Sequence, residues 1–88
     1  MTEYNDNLKR IFRHYGKENQ KKQLTQELAE LIVAITKNDT DNFIEELADV
    51  QVMIDQFTIM YPDLFQKLVE TKHYKAERQI KRIFRNKE

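Results

Sequence analysis

Two acidic pairs carry the strongest chemical signal in the chain: Glu27-Leu28-Ala29-Glu30, and Glu46-Leu47-Ala48-Asp49. The members of each pair are three residues apart. On a helix both carboxylates then leave from one face, with Cβ atoms roughly 5–6 Å apart. Several carboxylates held together repel one another unless a cation neutralises them, and hard oxygen donors of this kind suit Mg²⁺ or Mn²⁺. Glu27, Glu30, Glu46 and Asp49 are therefore the candidate metal ligands. A di-iron carboxylate bundle would draw on Glu-x-x-His, but no His stands three residues after any of these acids, and His14 and His73 lie elsewhere. One acidic pair alone reads as a solvated helix face. Two pairs on consecutive helices, each bordering an apolar stripe, point to a shared cation.

The elements that must position these acids follow from apolar spacing and stop signals. Thr2 to Tyr15 reads as a first helix, with Leu8, Ile11, Phe12 and Tyr15 on one side at helical spacing, and Gly16 is suited to end it in the left-handed conformation. A second helix is expected from about Glu18 to Thr36, with Leu24, Leu28, Leu31, Ile32 and Ile35 as its buried stripe and Glu27 and Glu30 flanking it. Asn38 to Asp41 is a polar turn rich in N-capping residues. The third helix runs from about Asp41 to Met60, with Phe43, Leu47, Val50, Ile54 and Phe57 facing the core and Glu46, Asp49 and Met53 beside them. Tyr61-Pro62 ends it, since Pro suits the first turn of a following helix. That fourth helical region extends to about Phe84 and has a possible break near Thr71 to Lys72.

Eighty-eight residues make a single domain, 1–88, of modest core. The chain contains one Gly, one Pro and no Cys. Scarce turn residues argue for a few long helices, so the expected fold class is all-α, a four- to five-helix bundle-like arrangement completed by oligomerisation. The missing thiols remove disulfides and thiolate metal sites and fit a reducing, cytoplasmic compartment. The polar N-terminal residues do not read as a signal peptide, and the longest apolar run, Leu31 to Ile35, is too short for a membrane span.

The net charge is zero but unevenly placed: Asp39 to Glu70 holds eight acids and one base, while Lys72 to Glu88 holds seven bases and two acids. The basic tail is open to three readings, namely contact with nucleic acid, attraction between helices, or a grip on an anionic ligand that a bound cation also holds.

The order Glu27-x-x-Glu30, fifteen residues from 31 to 45, and Glu46-x-x-Asp49 followed by Val50 resembles the MazG-like branch of the all-α nucleoside triphosphate pyrophosphohydrolases. The likeness takes in Gly16 to Gln23 before the first pair and Lys75-x-x-Arg78 after the second, and it fits the short single-domain members. It implies Mg²⁺-dependent cleavage of a (deoxy)nucleoside triphosphate to the monophosphate and pyrophosphate by a homodimer or homotetramer, with helices from more than one subunit shaping the pocket. On that resemblance Glu27, Glu30, Glu46 and Asp49 hold Mg²⁺, with Mn²⁺ as a substitute, and one carboxylate takes the proton of the attacking water. Lys75 and Arg78 bind phosphate and the pyrophosphate leaving group, with Lys72 as a substitute one turn away. Gln23, one turn before Glu27, is a candidate for ribose, base or an outer-shell water. The alternative is a non-catalytic helical oligomer, or a module that binds nucleotide or nucleic acid through the basic C-terminal helix. Nucleic acid is the weaker partner, because the tail has no recognition-helix motif and no aromatic-interleaved basic strand.

Overall fold

The computed structural model describes residues 2–87. The described residues are 94% helical with no strand among them, in agreement with the expected all-α class. Four helices follow one another: α1 (Glu3–Tyr15), α2 (Lys17–Lys37), α3 (Thr40–Met60) and α4 (Pro62–Lys87).

Local chemistry sets each boundary. Thr2 caps α1, its Oγ1 accepting the Asn5 N–H at 3.1 Å. Gly16 ends α1 with its N–H on the Phe12 carbonyl at 2.8 Å, but its φ of 89° and ψ of 156° are not those of the left-handed helical turn. This extended positive-φ geometry suits a residue without Cβ and lets α2 restart at Lys17 without an intervening loop. At the next corner Asn38 takes the left-handed conformation, and Asp39 caps α3 through Oδ1 on the Asn42 N–H at 3.2 Å. Pro62 opens α4, which contains no break at Thr71. The Thr71 hydroxyl donates back to the Lys67 carbonyl at 2.7 Å, and the helix runs on to Lys87.

Helices α2 and α3, joined by a tight turn, form an antiparallel hairpin that makes the main packing seam. Helix α1 crosses α3 and touches α2, whereas α4 packs only on α3 among the described residues. Leu8, Phe12, Ala34, Val50 and Met53 are the buried apolar side chains among the described residues. Phe12 sits edge-on to both Phe57 and Tyr61, at ring separations of 5.3 and 5.9 Å, which locks α1 onto the end of α3.

The buried faces differ from the expected stripes. On α2 the face against α3 is Gln20, Leu24, Glu27, Leu31 and Ala34, at spacings of four and three, while Leu28, Ile32 and Ile35 stay exposed. On α3 the buried residues are Val50, Met53 and Gln56, with Leu47 and Ile54 turned outward. Both helices are rotated toward their polar edges, and each leaves an apolar stripe uncovered. Along α4, Leu64, Phe65, Ile80, Ile83 and Phe84 are exposed too. A radius of gyration of 16.2 Å, against about 12 Å for a compact chain of this length, reflects the projecting α4.

Candidate active site

The rotation of the hairpin brings the acids into its seam. Glu27 stands on the α2 packing face between Leu24 and Leu31. Glu46 stands one turn before buried Val50 on α3, and Asp49 immediately precedes Val50. Carboxylate oxygens of Glu27, Glu46 and Asp49 all lie within 4.8 Å of one another. Glu27 and Glu46 are half-buried and Asp49 is exposed, so the cluster lies at the mouth of the groove, not inside the core.

Two oxygens in this cluster, Glu27 Oε2 and Glu46 Oε2, are buried and have no hydrogen-bond partner among the described residues. An ionised oxygen in that condition has lost water and gained no donor, which is costly. The other Glu27 oxygen is held by Gln23, whose Nε2 donates to Oε1 at 2.7 Å. Burial pushes the Glu27 carboxyl above its ordinary range, and the Glu30 and Asp49 charges push the same way. The Gln23 hydrogen bond opposes them. An anionic pocket with orphaned oxygens and a pre-aimed carboxylate fits a hard divalent cation.

Glu30 stands beside this group and is not one of the three convergent oxygens. It is exposed, its charge acts on Glu27, and it shares with Glu46 a shallow cavity of about 270 Å³. The four acids thus occupy one region, with three at its centre.

The basic residues are arranged differently. Lys72 and Lys75 are exposed on the part of α4 that projects from the body. Arg78 is half-buried with its guanidinium over the Tyr74 ring at 5.8 Å, and its Nε is buried without a hydrogen-bond partner. Among the described residues, none of these three is paired with a carboxylate of the cluster. A single chain brings the acids together but does not join the bases to them.

A cavity of about 550 Å³ adjoins the acids and has no counterpart in the sequence reading. Its walls include Tyr15, Gln20, Gln23, Val52, Met53 and Gln56. At its base Gln20 Nε2 donates to Gln56 Oε1 at 2.7 Å, and both residues are buried. The signal that marks this pair is a polar residue on a core stripe: Gln20 opens the 20-24-27-31-34 series of α2, and Gln56 lies one turn past buried Met53.

Comparisons with curated proteins and with solved structures give no match. The MazG nucleotide pyrophosphohydrolase domain matches residues 15–70, more than half of the chain. The match covers α2, α3 and both acidic pairs, and it ends before Lys72, Lys75 and Arg78. With the acids of the matched segment gathered in one groove, the chain belongs to the MazG nucleotide pyrophosphohydrolase domain family.

Proposed function

We propose that this protein is a Mg²⁺-dependent nucleoside triphosphate pyrophosphohydrolase, cleaving a (deoxy)nucleoside triphosphate between the α and β phosphates. The observation that carries the reading is the convergence of Glu27, Glu46 and Asp49 with two buried, unpartnered oxygens. A triphosphate would be repelled by bare carboxylates, so a cation must lie between the two sets of oxygens. Glu27, Glu46 and Asp49 would hold it, with Glu30 alongside. Bound Mg²⁺ supplies Lewis acidity and makes a coordinated water more acidic. Mn²⁺ offers the same chemistry.

The chain's own groups do the rest. Gln23 fixes the orientation of the Glu27 carboxylate. A carboxylate of the cluster accepts the proton of the attacking water as its oxygen bonds to phosphorus, and the bridging P–O bond breaks to release pyrophosphate. Lys75 and Arg78, with Lys72 one turn away, bind phosphate oxygens. Since one chain does not bring them to its own acids, we place them at the site of a neighbouring copy in a homodimer or homotetramer. The uncovered stripes on α2, α3 and α4 support that assembly. Among the described residues no helix is long and apolar enough to cross a membrane, and the cytoplasm, where nucleotides and Mg²⁺ are abundant, is the compartment we assign.

Pyrophosphate release from a panel of NTPs and dNTPs, with Mg²⁺ and with chelator, tests the proposal. Metal-dependent release that collapses in Glu46→Gln is expected. Silence of the wild type on every nucleotide would refute it.

A further inference from the structure

The groove between α2 and α3 does not end at the carboxylates. One turn along each helix from Glu27 and Asp49 it opens into the 550 Å³ cavity walled by Tyr15, Gln20, Val52 and Met53. Gln23 belongs to both regions, lining the cavity while donating to Glu27. A ligand whose polyphosphate end sits at the acids therefore reaches this cavity with its nucleoside end.

The base of the cavity is costly to build. Gln20 and Gln56 are 4% and 1% exposed, and each buried carboxamide loses its water for a net gain that two apolar side chains would match without the loss. Gln56 is sealed in. Its carbonyl accepts from Gln20, and its Nε2 donates toward Met53 Sδ at 3.5 Å. Gln20 keeps its carbonyl oxygen and its second N–H for other partners. A carboxamide free to rotate accepts either a donor or an acceptor, because a flip exchanges its two ends. Pinned through one N–H, it cannot flip without breaking that bond.

We infer that Gln20 is a specificity-determining contact for the nucleobase, and that Gln56 is the positioning residue that fixes which end of the Gln20 carboxamide faces the cavity. This deepens the pyrophosphohydrolase reading and rests on it. The ligand edge so read carries an amino or a keto group beside a ring nitrogen. Exchanging one for the other turns a matched donor and acceptor into two like groups face to face. The pair thus separates cytosine from uracil and adenine from hypoxanthine.

The test is kcat/KM for CTP against UTP and for ATP against ITP. The wild type is expected to differ about ten- to hundredfold within at least one of these pairs. Gln20→Met should bring that ratio to within about threefold of one. Gln56→Met should move it the same way and add nothing in the Gln20→Met background, the signature of one residue acting through another. A merely structural clamp would lower all four nucleotides alike and leave the ratios in place, and that result overturns the inference. So does a wild type that treats both pairs equally. Should Gln56→Met not fold, the wild type and Gln20→Met decide the matter. If no nucleotide is hydrolysed, the pyrophosphohydrolase reading fails by itself. NMR titration of the full chain with CMP, UMP, AMP and IMP then tests the cavity independently. Base-selective shifts of the Gln20 side-chain amide sustain the inference, and equal or absent shifts refute it.

Discussion

Substituting Glu27→Gln separates the cost of the acidic cluster from its use. The change keeps the side chain's shape and removes one charge. In metal-free protein the Glu27, Glu46 and Asp49 oxygens lie within 4.8 Å of one another, and two unit charges at that distance repel by roughly 3.5 kcal/mol at an effective dielectric of about 20. Asp49 is exposed and both glutamates are only half-buried, so water and salt reduce the relief to about 1–3 kcal/mol. For a chain of this size that corresponds to a rise in Tm of roughly 5–20 °C. With Mg²⁺ the order reverses. A cation at a hundred times its dissociation constant adds about 2.7 kcal/mol to the wild type and much less to a variant lacking one ligand. Loss of a ligand that contributes several kcal/mol to the transition state also lowers turnover at least about a hundredfold. Thermal melts in EDTA and in Mg²⁺, with pyrophosphate release in parallel, read all three effects. A variant less stable than the wild type in EDTA, or an equal gain from Mg²⁺ in both proteins, would refute the reasoning.

Three other perturbations probe the scaffold. Tyr4 donates to Asp55 at 2.8 Å, and that bond, with burial and the Asp55 charge behind it, raises the phenol above its ordinary 10.0. The folded state therefore keeps the proton where the unfolded state has lost it, so this contribution is intact below pH 10 and disappears as pH rises through the folded value. Urea melts from pH 8 to 11.5 should show a loss of stability above about pH 10 that Tyr4→Phe lacks. Phe12→Ala removes the ring that joins α1 to Phe57 and Tyr61 and should cost about 3–5 kcal/mol, visible as collapse of the cooperative melt. Leu28→Glu with Ile32→Glu charges the exposed α2 stripe. Light scattering should show a shift toward monomer while circular dichroism stays helical, and an unchanged mass would remove that stripe from the assembly surface.

Helix ends were legible in the sequence because their causes are local. Thr2, Gly16, the Asn38-Asp39 corner and Tyr61-Pro62 carry their signals within a few residues, and each observed boundary falls there except the end of α4, which runs past Phe84 to Lys87. The continuity of α4 was less so, because a Thr that back-bonds to Lys67 looks the same in sequence as one that ends a helix. The packed faces are only partly legible, for a related reason: Leu24, Leu31 and Val50 of the apolar stripes do pack, and their neighbours do not. Helix α2 has two candidate stripes, and the more apolar one, through Leu28, Ile32 and Ile35, is exposed, while the stripe through Gln20 and Glu27 packs. Counting apolar residues favours the first, because the count cannot know that polar groups will be paired across the seam. The two acidic pairs were visible from their spacing. That oxygens of Glu46 and Asp49 converge with one of Glu27 depends on the register between helices, which spacing within one helix does not contain.

These departures share a physical logic. The α2/α3 seam holds Gln20, Glu27, Glu46 and Gln56 among Leu24, Leu31, Ala34, Val50 and Met53, so the most protected contact surface contributes less hydrophobic stabilisation than an all-apolar seam would. Among the described residues, five buried apolar side chains are a small core beside this many exposed aliphatic and aromatic ones. The apolar material displaced from the seam has not been lost. It lies on the outer stripes of α2 and α3 and along α4, where only another surface can bury it. A polar groove at the centre of a small fold thus leaves much of its apolar surface on the outside. On the assembly proposed above, contact between copies covers that surface, and a chain this short keeps a polar, solvent-connected groove between its two main helices without coming apart there.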